Sequence, residues 1–441
     1  MTTAPVEKLV LGLAAPTIVI SLTISIYDLA NTFYVSLLGT SEVAAVGIAL
    51  PLKAIIQAMG FMFGQGIGNY MSRALGAQDT KGAARMAATG FVSAFAVMTM
   101  FAAAGIIGLE PLVNGLGATE TIRPHAKDYI FFILLASPWM AASIVLNQML
   151  RFQGSAAIAM VGMLSGTILN IFLAPLFIFV FGMGVRGAGL ATMICQMLSF
   201  VILLFYGCTR KGNIPIRLSQ FSLSPSWYAE IFRGGFPSLL RQGLLSVSFI
   251  VINHFARGHG DAAIAGIAIV QRLCMFANSI VVGIGQGFQP VCGFNYGAKQ
   301  YDRVRKAFWF CVRLGTAILL AISLAIALFA PQIIALFRGD DLEVIAIGAR
   351  GLRLNSISLP LTAFMIISGM MTQTTGRTLE ASILAVARQG LFLIPSLFAL
   401  SPFLGLLGTQ LSIPVSDILS FVVSAFIMAR VMKGLSGRQI E

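Results

Sequence analysis

Twelve stretches of about twenty or more mostly apolar residues succeed one another along the chain, and this pattern constrains its fold more than any motif does. They run Leu9–Leu38, Val43–Tyr70, Ala87–Leu109, Tyr129–Leu150, Ala156–Phe181 and Gly187–Cys208, then Phe236–Phe255, Ala262–Pro290, Ala307–Ala330, Val344–Met371, Ala381–Leu400 and Leu404–Met432. A helix of about 20 apolar residues crosses the hydrocarbon of a bilayer. Lipid offers the backbone no hydrogen bonds, so only helices and closed barrels span it. A barrel would show alternating segments of about ten residues, and none occurs. Only 10% of the residues are charged against 57% hydrophobic, where a soluble chain carries about 25% charged. A cytosolic enzyme, an extracellular module and a disordered regulator are thereby excluded. The expectation is an all-α polytopic membrane protein. The first apolar run, preceded by Lys8, is too long for a signal-peptide core and reads as the first span.

The net charge of +13 would suggest nucleic acid in a soluble protein. Here the basic residues follow the membrane instead. Of the 29 lysines and arginines, seventeen fall in loops on one side, seven on the other and five inside apolar runs. Lysine and arginine collect on the cytoplasmic side, which puts both termini in the cytoplasm; the expected location is the cytoplasmic (inner) membrane. Nucleic acid is not needed to explain the charge. The five cysteines are scattered without CxxC spacing, which favours neither disulfides nor a metal site. Gly182-Met183-Gly184-Val185-Arg186-Gly187 matches GxGxxG but lacks a strand–helix context, and no GxxxxGK[ST] is present, so no nucleotide site is expected.

The two halves repeat. Gly64-Gln65-Gly66 returns as Gly285-Gln286-Gly287 and Gly76-Ala77 as Gly297-Ala298, both 221 residues later. Pro138 and Gly154 return as Pro360 and Gly376, Pro175 as Pro395, Leu198-Ser199-Phe200 as Leu419-Ser420-Phe421, and Gly47-Ile48-Ala49 as Gly266-Ile267-Ala268. Each half holds six runs, an even number, so both enter the membrane from the same side and the repeat is parallel. The expected domains are a six-helix lobe over 1–208, a cytoplasmic linker over 209–235 and a second six-helix lobe over 236–441. Two such bundles facing a central cleft can alternate access by rocking.

The segment Gly283–Gln300 (GIGQGFQPVCGFNYGAKQ), Tyr27–Gly47 (YDLANTFYVSLLGTSEVAAVG) and Thr374–Ser382 (TTGRTLEAS) resemble signatures of the multidrug and toxic compound extrusion family, in its prokaryotic branch that includes the DNA-damage-inducible-protein-F-like exporters. The resemblance covers the whole chain. It implies a V-shaped two-lobe transporter, not an enzyme, that exchanges protons or sodium for organic, often cationic, compounds. In that branch the first span usually carries tyrosine-asparagine-x-x-aspartate; here the order is exchanged, Tyr27-Asp28-Leu29-Ala30-Asn31. The fifth span usually carries asparagine and, four residues on, aspartate; here the pair is Asn170 and Ala174.

Ionisable groups inside a bilayer are costly and usually functional or paired. Of the sixteen acidic residues only Asp28 and Asp417 lie deep within spans. Asp28 and Lys53 both fall roughly 16 Å below the outer loop at 1.5 Å per residue. With Asn31 and Asn170 they form the candidate ion-coupling set, in which Asp28 either titrates with the hydration of the cleft or forms a permanent bridge to Lys53. Asp417 shares its half with Arg241, Arg272 and Arg388, and reads as the centre of a structural charge network or as a second ion or substrate site. Gln57, Asn147, Thr192, Gln271 and Asn278 are candidate cleft residues, and each could equally join helices. His254 could sense pH or be an ordinary interfacial residue.

These readings combine into a secondary antiporter that exports amphipathic compounds by alternating access. It needs no cofactor beyond H+ or Na+ as coupling ion, its partners are small organic substrates and the lipid bilayer, and a monomer is expected. The alternative is a flippase for a lipid-linked precursor, which would need a strongly cationic cleft.

Overall fold

Apolar runs with few charges and no competing backbone partners become helices, and the computed structural model contains helix throughout with no strand among the described residues. It describes the chain apart from residues 210–213, 338–340 and 438–441, and apart from the side chains at positions 25, 26, 28, 29, 32, 40 and 437. Asp28, the first of the expected coupling residues, therefore lies outside the described residues, as do four positions of the linker.

The helices of the first half are α1 (Val6–Ser36), α2 (Thr40–Ile48), α3 (Leu50–Gly76), α4 (Thr80–Ile107), α5 (Leu109–Gly115), α6 (Arg123–Phe152), α7 (Ala156–Pro175) and α8 (Gly184–Thr209). The second half holds α9 (Pro225–Arg257), α10 (Asp261–Gly297), α11 (Tyr301–Ala335), α12 (Leu342–Thr374), α13 (Thr378–Val386), α14 (Ile394–Leu404) and α15 (Leu406–Gly437). Together α2 and α3 make one span, α7 continues through a π-helical turn at Leu176–Val180, and α13 and α14 are joined by another at Ala387–Leu393. Twelve helical segments among the described residues are long and apolar enough to cross a membrane. Their outer faces remain apolar: on α11, Leu320, Leu324 and Leu328 form an exposed stripe at the four-residue spacing of one helix face, as lipid contact requires.

The backbone repeats as the sequence does. Gln78 and Lys299 are the two non-glycine residues with positive φ among the described residues, at +62° and +59°, and they stand 221 positions apart. Gly39 and Gly260, Gly154 and Gly376, and Gly184 and Gly405 are likewise paired positive-φ positions. Four turns that need a left-handed residue thus recur in both halves, whereas those at Gly117 and Gly182 have no counterpart among the described residues. The most buried span of each half is α6 in the first and α12 in the second, and these carry the paired Pro138 and Pro360.

The chain forms two compact units, Val19–Leu239 and Met1–Ile18 with Leu240–Glu441. The division differs from the expected one, for it falls inside α1 and α9 and not in the linker. The cause is close docking on glycine. In the C-terminal unit a Cβ on Gly287 would stand 2.6 Å from the Ala14 backbone nitrogen, and one on Gly283 would strike Ile18. The start of α1 thus lies directly on α10. Arg303 donates from Nη2 to the Ala4 carbonyl (2.5 Å) and from Nε to Asn295 Oδ1 (2.8 Å), fixing the residues before α1. In the N-terminal unit the start of α9 lies on α3 in the same manner, with Ile231 against Gly66 and Gly235 against Met62. Tyr228 and Ser93 lie 3.2 Å apart and Arg73 pairs with Glu230 at 3.5 Å. Both divisions follow a proline, Pro16 in α1 and Pro237 in α9, where the missing N–H releases one helical hydrogen bond and permits a bend. The end of the linker is tied to the N-terminal unit: the Ile214 N–H donates to Gln153 Oε1 (2.6 Å) and the Ser222 N–H to Thr89 Oγ1 (3.2 Å).

Candidate functional site

In the N-terminal unit, three helices carry candidate residues toward one apolar cluster. Val35 of α1, Leu52 and Ile56 of α3 and Ala174 of α7 belong to it. Asn31, Lys53 and Asn170 each lie within one turn of those residues along their helices. Asn31 is buried; its Nδ2 donates to the Tyr27 hydroxyl (3.4 Å), and its Oδ1 is buried with no partner among the described residues. Asn170 is buried and Lys53 half-buried. Where the resembled branch has an aspartate, Ala174 packs into the apolar cluster at 1% exposure, a setting in which a carboxylate would be expensive.

The five candidate cleft residues separate by surroundings. Thr192 is buried and its hydroxyl donates to the Ala188 carbonyl one turn back on α8 (2.9 Å). Asn147 donates from Nδ2 to the Ala159 carbonyl (3.1 Å) and so fastens α6 to α7. Asn147, half-buried, thus joins two helices, whereas the Thr192 hydroxyl is engaged within its own helix. Gln57 is exposed on α3. Gln271 and Asn278, two turns apart on α10, line a recess inside the C-terminal unit.

That recess is small, about 90 Å³, below the range of pockets that enclose a drug-sized ligand. Its apolar wall includes Phe249, Ile252, Leu359 and Ile413, and its polar end holds Arg388 and Asp417. Of the three arginines in this half, Arg388 reaches the carboxylate. Its Nε donates to Oδ1 at 2.6 Å and its Nη2 to Oδ2 at 3.5 Å. The Ser358 hydroxyl of α12 donates to Oδ2 at 2.8 Å. Asp417 is 2% exposed, and burial of a charge requires this kind of compensation. Arg272 is exposed on α10, and Arg241 makes no hydrogen bond or ion pair to Asp417.

The π-helical turn Ala387–Leu393 sets Arg388 in place. A π turn leaves backbone groups out of the regular ladder and is frequent at functional positions. Here the Ser416 hydroxyl donates to the Arg388 carbonyl (2.6 Å) and the Ser248 hydroxyl to the Gln389 carbonyl (3.2 Å). Pro395 follows the turn, and its missing N–H withholds one bond from the preceding carbonyls. Sequence reasoning missed Ser358, Ser416 and Ser248. A serine in an apolar helix carries no periodic signal, and only the turn's proline was visible in advance. Among the described residues no group of three His, Cys, Asp or Glu side chains converges as metal ligands would, and His254 is exposed.

Comparison with known proteins places these features in one family. The MatE family profile matches residues 16–176 and again residues 237–398, so both halves satisfy one pattern at the spacing of the internal repeat. The chain is 29% identical over 438 residues to the multidrug export protein MepA of Staphylococcus saprophyticus subsp. saprophyticus, covering 96% of this chain and 93% of that protein. It superposes on a crystal structure of MATE in complex with MaL6 with a TM-score of 0.93, at 25% identity and 98% coverage of both chains. A multidrug resistance MATE family transporter of the MOP superfamily, in an outward-facing conformation, gives 0.90 at 26% identity, covering 98% of this chain and 97% of that one. With twelve spans, a duplicated backbone and two matches to the profile that together take in most of its length, the chain belongs to the MatE family.

Proposed function

We propose that this protein is a secondary multidrug exporter that moves amphipathic organic compounds out of the cell by alternating access, driven by re-entry of H+ or Na+. One observation carries the reading: the similarity to a protein named for multidrug export extends over 96% of the chain and includes both halves. The lack of a GxxxxGK[ST] motif favours an ion gradient over nucleotide bound by this chain as the energy source. The excess of lysine and arginine in one set of loops supports an orientation with both termini cytoplasmic. A lipid-linked pyrophosphate would call for cations in excess. The arginine lining the recess of the C-terminal unit is neutralised by Asp417, and this favours the exporter over the flippase.

Asp28 is the proposed coupling carboxylate, with Asn31, Lys53 and Asn170 as the other members of the proposed coupling set. A coupling ion and a substrate must favour different conformations of the carrier, and a carboxylate that binds the ion in one of them meets that need. The test is efflux of a cationic dye from everted vesicles under an imposed proton gradient, then under a sodium gradient. The wild type is expected to respond to one of them, and Asp28→Asn to lose that response at normal expression. Absence of a response to either gradient overturns the exporter, whereas a wild-type rate in Asp28→Asn overturns only the coupling assignment.

A further inference from the structure

A second, open recess of about 480 Å³ lies between α11 and α12, at the end where α11 finishes and α12 begins. A break in α11 borders it. Pro331 has no N–H to offer the Ala327 carbonyl four residues back, and Phe329, at φ −105° and ψ 18°, departs from helical geometry. The Nε of Arg353 on α12 donates to that Ala327 carbonyl at 3.4 Å, which leaves both Nη groups of the guanidinium fork uncommitted. Arg350, one turn away on the same face of the helix, also lines the recess and makes no hydrogen bond or ion pair among the described residues. Both arginines are exposed, and the rest of the lining, which includes Pro331, Leu342, Ile345 and Leu354, is apolar. No described carboxylate lines it. Asp341 is engaged as the cap of α12, accepting from the N–H groups of Glu343 and Val344, and Glu343 is exposed nearer the helix start.

Depth identifies what the two cations meet. Leu354–Gly376 carries no charged residue, with Arg353 at one end and Arg377 at the other. At 1.5 Å per residue this stretch is roughly 35 Å long, close to the thickness of about 30 Å of the hydrocarbon. Arg353 therefore stands where hydrocarbon gives way to headgroups. One turn deeper, Leu324 of α11 and Ile357 of α12 are exposed and apolar. A cation that faces lipid needs an anion, and here the protein supplies none among the described residues. We infer that this recess holds the headgroup phosphate of an anionic phospholipid, in the leaflet at the start of α12 (the outer one in the proposed orientation). Arg350 and Arg353 are its donors, and the acyl chains lie along Leu324 and Ile357. Guanidinium meets phosphate through paired, charge-assisted N–H bonds. A zwitterionic lipid would bring its own ammonium beside two cations. The lipid is a resident and not a cargo, because Leu314–Phe337 of α11 and Leu354–Gly376 of α12 hold no further cation to pass a phosphate across. The assignment goes beyond the exporter reading and does not depend on transport.

The test uses purified full-length protein, delipidated in detergent, with native mass spectrometry counting bound dioleoylphosphatidylglycerol or dioleoylphosphatidylcholine over a titration. An arginine near a membrane surface adds about fivefold to the affinity for an anionic lipid. The tightest phosphatidylglycerol should therefore bind the wild type about twenty-five-fold tighter than phosphatidylcholine. Arg350→Gln, at a side chain without a protein partner among the described residues, should lower that affinity about fivefold, and Arg350→Gln/Arg353→Gln should remove the preference. Lys306→Gln/Arg313→Gln, which takes two exposed cations from the other end of α11, should leave the affinity within twofold. Equal binding of the two lipids by the wild type, an unchanged affinity in Arg350→Gln, or an equal loss in the Lys306/Arg313 variant would overturn the assignment. Displacement of the bound lipid by millimolar glycerol 3-phosphate would overturn it as well, giving the two arginines to a soluble anion.

Discussion

Asp417 and Arg388 depend on each other, because the carboxylate is almost wholly enclosed and the guanidinium is its one ionic partner among the described residues. Removing one member of a buried pair costs about 3–5 kcal/mol, while replacing both by apolar groups can be neutral. Arg388→Met should therefore lower the thermal unfolding midpoint in detergent markedly. Arg388→Met/Asp417→Leu should recover most of the loss, since Ser358 keeps the Asn355 carbonyl as an alternative acceptor at 3.3 Å. From sequence the candidate partners of Asp417 were Arg241, Arg272 and Arg388, although Arg313 also lies inside a span of that half. Choosing among them required the π turn, which has no signature in hydrophobic periodicity. Outside the membrane, Glu110 accepts a hydrogen bond from Lys127 at 2.8 Å, and this bond and the ammonium charge hold its carboxyl below the usual carboxylate range. The pair's contribution is present above the ordinary glutamate value and fades as pH falls through the lowered one. Lys127→Met should return the Glu110 titration, followed by carboxyl NMR, upward to the ordinary range without changing export.

At the scale of the elements, the spans were readable because each is a long apolar run, whereas their internal breaks were not. The two π turns lie beside Pro175 and Pro395, a pair visible in the repeat, yet a proline alone does not say whether a helix ends, kinks or widens. Helix contacts at glycine are more predictable once seen. A side chain at Gly66 or Gly287 would meet backbone, of Ile231 in one case and of Ala14 in the other, and backbone cannot rotate away. Overpacking a tight contact costs about 1–3 kcal/mol. Gly66→Val should loosen the start of α9 and Gly287→Val the start of α1. Limited proteolysis would then show new cleavage near Ser224 in the first variant and near Pro5 in the second; unchanged patterns would contradict the close docking.

For the whole molecule, the duplication carried the fold: two sets of six runs, and turns that recur with the same left-handed residues. Legibility ended at the unit boundaries. Composition marks the linker as the natural divide, but compactness follows contacts, and those of residues 1–18 belong with α10 far along the chain. A chain cut at 210–213 makes the difference measurable. The fragment 1–209 should expose the start of α1, and the fragment 214–441 should expose the start of α9. Each is expected to aggregate or be degraded when expressed alone, and the two together to restore dye efflux. Accumulation of either fragment as a folded monomer would contradict the exchange of helix starts. The same exchange bears on descent. A half-length forebear with this topology could bury its own opening segment only against a second copy of itself. Association would then have preceded gene fusion, and each half of the modern chain would still inherit a segment made for its neighbour.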